Sequence, residues 1–358
     1  MTDVLSRRAL NRATLARQYL LERAPVRAVD AIERLAGMQS QAPLAPYVGL
    51  WARLRDFASG ELATLTQERQ VVRLQLMRNT VHLVSARDAL DWSALFAPLP
   101  AAEFNANFRA GTAGADLSAV LGEAERLLAE RPRTRAELGR LLAERWPRAE
   151  PRALGYAVTL HLPLCQVPPR GVWGKGGAAT WAPLADWLGA PLGSVPVDAL
   201  VLRYLGAFGP ASVADVQAWS GLTRLREVVE RLPVRLLRGE AGQTLYDLPD
   251  APRPAEDAPA PPRFLPEYDN LLLSHSDRTR VIPHQRPVPL PPGNGATGGT
   301  FLIDGLWQGN WQLRDQRLRI RPFVELRPVD RDALLAEAPG LCAFIAPATE
   351  ADVILDHP

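Results

Sequence analysis

The chain is short of the residues that most metal, redox and thiol chemistries need. It has two cysteines, Cys165 and Cys342, set far apart in 358 residues, which excludes a disulfide framework and suits a reducing compartment. The five histidines, His82, His161, His275, His284 and His357, are scattered. No C-x-x-C or H-E-x-x-H spacing gathers them, so neither a structural zinc nor a zinc hydrolase is expected. Walker and dinucleotide fingerprints are missing, and the Gly171–Gly177 stretch (GVWGKGG) lacks the strand-loop-helix order of a phosphate loop. We expect no cofactor and no metal. No apolar run approaches a membrane span, and the polar, arginine-rich start has no signal-peptide core, so a cytoplasmic protein is expected. Lysine occurs once, as Lys175, among 41 basic residues, so the other 40 are arginine. The preference reads either as coding bias, in a chain also rich in Ala, Leu, Gly and Pro, or as use of arginine's planar, bidentate donors for phosphate and base edges; the scarcity of primary amines constrains mechanism whatever its origin.

Charge of one sign is lacking as well. The 41 basic and 39 acidic residues leave +2, which excludes a simple polybasic binder. The charge is unevenly spread: residues 1–192 carry +6 and residues 193–358 carry −4. A positive half suits contact with a polyanion. With 47% hydrophobic residues, the length predicts two to four globular modules.

What is present reads as a repeated grammar. Residues 4–22 place Leu5, Leu10, Leu15 and Leu20 at helical spacing, and a second helix after Pro25 stops at Gly37. Two alternating runs, 71–76 and 80–84, are joined at Arg78-Asn79 as a hairpin. Helical segments near 86–96, 116–130, 134–145 and 151–161 then lead to a second hairpin through GVWGKGG. A third pass is more compact: helices at 197–205 and 212–219, a helix capped by Thr223, and strands at 234–237 and 244–248. Helices followed by a hairpin form the pattern of a winged helix. The expected fold is therefore α+β, with three tandem winged-helix units (1–85, 86–192, 193–250). A proline-rich linker (251–262) and a small C-terminal antiparallel β-barrel (263–358) follow.

Winged helices point first to nucleic acid. Arg224, Arg226 and Arg231 on the last helix of the third unit, Arg238 at its hairpin, and Arg7, Arg8, Arg12 and Arg17 on the first helix are the candidate phosphate contacts. The sharpest local feature is Gly37-Met38-Gln39-Ser40-Gln41-Ala42-Pro43. Gly37 ends a helix and Pro43 keeps Ala42 out of helical backbone. Gln39 and Gln41 then lie in extended chain, where i and i+2 share a face. Their two carboxamides can hold one water or one sugar-phosphate group between them.

Gln39-Ser40-Gln41-Ala42-Pro43, Arg78-Asn79-Thr80-Val81-His82-Leu83, Phe264-Leu265-Pro266-Glu267-Tyr268-Asp269 and Asp304-Gly305…Gly309-Asn310-Trp311 occur in that order. Together they resemble the winged-helix DNA glycosylases of the AlkZ-like family, over nearly the whole chain. The resemblance implies three winged-helix units around a DNA channel and excision of alkylated or crosslinked purines from double-stranded DNA. It places the catalytic Gln-x-Gln at Gln39 and Gln41. A sister branch carries Asp at the second position; Gln41 sets this chain apart from it. A monomer at the nucleoid is the expected form. His82, on one strand face with Arg78, Thr80 and Val84, either meets a phosphate or flipped nucleotide or is packed against backbone. Trp173 and Lys175 either steady DNA or form an ordinary wing tip. Tyr268 and Asp269 are placed to dock the C-terminal module, and His275 beside Arg278 and Arg280 to touch phosphate.

A glycosylase that also nicks the strand forms a Schiff base through an amine. Only Lys175 and the Met1 amine are available, and neither lies in the Gln39 segment. Base excision without strand cleavage is expected, so borohydride reduction during turnover should trap no protein–DNA adduct; a trapped adduct sinks this expectation.

Overall fold

The computed structural model describes residues 4–287, 298–347 and 351–358; Met1, named above as a possible amine, lies outside them. The chain folds as two compact units. One takes the chain up to Leu62, Asp198–Trp219 and the chain from Thr223 onward; the other takes Ala63–Val197 with Ser220–Leu222. No helix among the described residues is long and apolar enough to cross a membrane.

In the second of these, Val71–Gln75 and Val81–Ser85 form the expected antiparallel hairpin, Val71 opposite Ser85 and Gln75 opposite Val81. Its turn is wider than a two-residue one: Met77–Asn79 makes a 3-10 turn with Arg78 at φ 54° and Asn79 at φ 55°. Helices Ala86–Phe96, Leu117–Glu130, Arg135–Arg145 and Pro151–His161 fall where the periodicity puts them. Pro98–Asn107 is an additional helix, hidden by its two early prolines, which a first turn tolerates because those N–H groups have no helical partner. The two-residue strand Arg133–Thr134 lies before helix Arg135–Arg145 and pairs antiparallel with Thr180–Pro183. That strand in turn pairs with Leu164–Val167, and Arg73 opposite Gln166 joins both hairpins in one sheet. Helices Arg135–Arg145 and Pro151–His161 cross so closely that a Cβ at Gly139 would sit 2.0 Å from the Pro151 carbonyl oxygen. Val120, Leu128, Leu138, Leu142, Leu154 and Trp181 fill the space between helices and sheet.

The other unit repeats this order. Helix Val197–Phe208 is followed by an antiparallel bridge from Ala211 to Tyr246, then helices Val213–Ser220 and Arg226–Arg231, then the hairpin Arg235–Gly239 with Thr244–Asp247. Ser212 and Asp215 cap each other: Asp215 N–H donates to Ser212 Oγ (3.2 Å) and Ser212 N–H to the Asp215 carboxylate (2.8 Å). Thr223 does not cap the next helix. Arg224 turns left-handed (φ 60°), the helix starts after Leu225, and the Leu225 N–H is held by Gln217 Oε1 (3.1 Å) instead.

The C-terminal module is a five-stranded open sheet, which corrects the expectation of a closed antiparallel barrel. Its order is Arg263–Leu265, Gly299–Ile303, Leu306–Arg314, Arg317–Pro322 and Asp352–Leu355, with no pairing between the first and last strands. The first four run antiparallel and the last joins parallel, because helix Pro328–Ile345 carries the chain back along the sheet. That helix also covers one face, setting Leu334, Ala338 and Leu341 against Phe264, Trp311 and Ile320. A face already covered by a helix has no reason to curl on itself.

The first helix, Arg7–Arg17, is mostly buried in its unit from Leu10 onward. Arg12 and Arg17 are fully buried, which corrects the phosphate contacts expected of these two, whereas Arg7 and Arg8 are exposed. Arg17 makes a bidentate pair with Asp247 (2.6 and 2.9 Å), and Arg8 and Arg12 both bond Asp304. Asn11 Nδ2 donates to the carbonyls of Arg280 (2.7 Å) and Gly305 (2.9 Å). Gly305 has φ 78°, and a Cβ there would lie 2.5 Å from Asn11 Oδ1. The proline-rich stretch runs along this helix, its carbonyls taken by Arg8 (Glu256 O, 2.8 Å) and Arg12 (Ala258 O, 2.7 Å).

His275 is corrected too. It is buried, its Nε2 is 3.0 Å from the Phe208 carbonyl oxygen, and Tyr204 and Phe208 flank it. Arg280, also buried, donates to the Pro210 carbonyl oxygen (2.9 Å) and cannot serve a phosphate as it stands.

Two outcomes follow. Arg17→Ala leaves the buried Asp247 carboxylate with Arg253 as its remaining guanidinium partner and is expected to lower stability by about 2–3 kcal/mol, read from the urea midpoint; an unchanged midpoint would count against the pair's role. Burial, reinforced by Arg280 and opposed by Asp215, holds the His275 pKa well below its ordinary 6.5. The folded protein therefore keeps it neutral while the unfolded chain protonates it. The stability it contributes is present above pH ~6.5 and is lost as pH falls below that value. His275→Phe should flatten the decline of the thermal midpoint between pH 7 and 4.5; an equally steep decline would argue against it.

Candidate active site

The Gln39 segment sits in the unit that contains the first helix. Helix Ala28–Arg34 ends in a left-handed pair, Ala36 (φ 54°) and Gly37 (φ 85°), with the Gly37 N–H returning to the Ile32 carbonyl oxygen at 3.0 Å. Met38–Gln39 is extended, and the next helix, Ala45–Trp51, begins only after Pro43. The connector is non-helical, as its Gly and Pro require. The side chains of Gln39 and Gln41 converge, Gln39 Nε2 donating to Gln41 Oε1. Gln39 is buried and Gln41 exposed, so Gln41 meets whatever arrives from solvent.

Behind Gln39 lies a cavity of about 10 Å³, room for one water, lined by Gln18, Gly37, Arg53, Asp269 and Asn270. Asp269 is tied to the buried Arg53 (2.8 and 2.9 Å), so its docking role is a direct contact. Tyr268, at φ 59°, turns the chain just before it. Neighbouring Glu267 has its carboxyl pKa pushed up by burial. Gln18, Arg53 and Asn270 escaped notice because each reads as an ordinary surface residue when its partners are far off in sequence. Among the described residues no three His, Cys, Asp or Glu side chains gather as a metal site.

The remaining candidates divide by exposure. Arg78 occupies the left-handed turn, so it does not share an extended strand face with His82 as expected. Thr80 is half-buried and donates to the Met77 carbonyl oxygen (3.0 Å). His82 is 0% exposed, with Nδ1 3.0 Å from the Thr80 carbonyl oxygen, and presents no surface to a phosphate in this conformation. Trp173 is half-buried and Lys175 exposed in the loop between Leu164–Val167 and Thr180–Pro183. Arg170 braces that loop from its base through the Gly177 carbonyl oxygen (2.9 Å).

In the other unit, Arg224, Arg226 and Arg238 are exposed. Arg226 pairs with Glu230 at 3.2 Å. Such an exposed i, i+4 pair is worth only about 0.3–0.5 kcal/mol, so a phosphate can displace it. Arg238 braces its own hairpin through the Gly242 carbonyl oxygen (3.0 Å) and Thr244 Oγ1 (3.1 Å), and Arg231 is held by Asp198 (2.9 Å).

A family model described as DNA glycosylase AlkZ-like matches residues 32–344. A curated interstrand DNA cross-link repair glycosylase of Streptomyces sahachiroi is 26% identical over 354 residues, covering 90% of this chain and 92% of that protein. The solved structure of the Streptomyces sahachiroi DNA glycosylase AlkZ aligns with a TM-score of 0.80 over 99% of this chain and 100% of that one, at 21% identity, and so shares its fold. The matched span takes in the Gln39–Gln41 connector and most of both units: this chain belongs to the AlkZ-like DNA glycosylases.

Proposed function

We propose that the protein hydrolyses the N-glycosidic bond of cationic N7- or N3-alkylated purines in double-stranded DNA, interstrand crosslinks included, and leaves the strand intact. The observation that carries this reading is the contact between the Gln39 and Gln41 carboxamides in a short non-helical connector. An amide cannot act as a general base near neutral pH. It can orient a water and face a developing positive centre with its oxygen dipole. That is sufficient only if the base is already a good leaving group. An N7-alkylated purine carries its positive charge beforehand, so the glycosidic electron pair moves onto the base and cancels it. Water adds at the anomeric carbon and loses its proton to solvent. An uncharged base would need an acid to protonate it, which the two glutamines do not supply. The crosslink substrate is suggested by the Streptomyces sahachiroi relative, which is named for it.

Duplex binding falls to the repeated helix–strand–helix–helix–hairpin units, which we take as three winged helices (1–85, 86–192 and 193–250) joined through 251–262 to the sheet module 263–358. Lys175, Trp173, Arg224, Arg226 and Arg238 are the exposed or half-exposed side chains best suited to the duplex, with Arg78 and Thr80 at the first hairpin's turn.

With duplex containing 7-methylguanine, Gln39→Ala and Gln41→Ala are expected to slow single-turnover base release by about 100-fold or more, while salt-dependent DNA binding survives. Release of uracil at the same rate as 7-methylguanine would overturn the restriction to cationic lesions. Sequence-selective binding without any base release would identify a regulator instead.

A further inference from the structure

The connector that carries Gln39 and Gln41 is short, with only Met38–Gln39 in strand conformation. Its upstream end and the helix that follows it are both linked to one buried ion pair. On the upstream side, Asn270 Nδ2 donates to the Gly37 carbonyl oxygen at 3.3 Å. Asn270 opens the single turn Asn270–Leu272, which Asp269 caps by accepting from the Leu271 N–H at 2.9 Å. The same Asp269 carboxylate takes both terminal nitrogens of Arg53, at 2.9 and 2.8 Å. On the downstream side, Arg53 Nη1 also donates to the Gly49 carbonyl oxygen (3.0 Å), in the helix that follows the connector. Arg53, Asp269 and Asn270 are 2%, 6% and 6% exposed, so water does little to screen these bonds.

A buried ion pair is weak as a source of stability, because well-packed apolar residues commonly do as well. Its distinctive property is direction: a guanidinium held by a bidentate carboxylate cannot rotate. The Arg53 Nε–H, buried and without a hydrogen-bond partner among the described residues, adds a donor beside the one-water cavity that Gln39 also lines. Resting on the reading of Gln39 and Gln41 given above, we infer that Arg53, Asp269 and Asn270 are positioning residues for base excision. They hold the connector's first residue, Gly37, and the helix that follows it, and so set where the two carboxamides hold the attacking water. None of the three needs to touch DNA.

Full-length Asn270→Ala loses the bond to Gly37 and leaves the ion pair intact; Arg53→Lys keeps the charge and loses the fork. Each is compared with wild type in single-turnover excision of 7-methylguanine with enzyme in excess, alongside duplex affinity and thermal midpoint. Mispositioning should lower the rate constant about 10- to 100-fold, with full reaction amplitude and duplex affinity within twofold of wild type. A merely structural role predicts the reverse, a reduced amplitude at an unchanged rate constant, and that result would overturn the inference. So would wild-type rate and amplitude in both variants. If wild type itself released no base, the proposed reaction would fail, a result distinct from either of these.

Discussion

Guanidinium groups taken out of water must be met by carboxylates and carbonyls, and this requirement organises the unit that holds the Gln39 connector. The first helix turns Arg12 and Arg17 inward, where an unpaired charge would be prohibitively costly. Asp247 comes from the hairpin Arg235–Gly239 with Thr244–Asp247, Asp304 from a turn of the C-terminal sheet, and further donors take carbonyls of the proline-rich stretch. One helix thereby holds segments 230 or more residues further along the chain. Proline favours this arrangement: its carbonyl remains an acceptor, it has no N–H to satisfy, and its fixed φ limits what the chain loses on ordering.

The same principle recurs at smaller scale beside the connector. Arg53 and Asp269 form a second buried pair, and through Asn270 and Gly49 it reaches both flanks of the Gln-x-Gln segment. Chemistry that relies on oriented amides rather than on a titrating base depends heavily on geometry, since an amide offers no proton transfer to compensate for a misplaced water. A buried ion pair next to two neutral carboxamides fits that need. It also confines the enzyme, in the reading offered here, to bases that leave without help.

Much of the architecture was legible beforehand. Helical periodicity located most of the long helices, and alternation located the hairpins, because both signals depend on spacing within a few residues. The non-helical connector was legible for the same reason, since Gly37 and Pro43 dictate backbone type locally; the chain bends at Gln41, so the meeting of the two carboxamides is a product of the fold and not of a continuous strand face. Pro98–Asn107 was missed because a proline pair looks like a break until its place in the first turn is known. The Thr223 cap failed where a left-handed Arg224 displaced the helix start, and the barrel failed because periodicity cannot say whether a sheet closes or is covered by a helix.

The arginines mark the boundary between the two kinds of knowledge. Composition alone established that this chain has one lysine, and therefore few amines for covalent chemistry; it also established a connector of glutamines without a carboxylate between its helices. Which arginines face solvent was beyond it. Arg12, Arg17 and Arg53 look no different in the sequence from Arg224 or Arg226, yet their carboxylate partners stand 292, 230 and 216 residues away. Only the folded chain brings those pairs together, and the desolvation cost of each charge then decides whether it stays at the surface or becomes part of the frame.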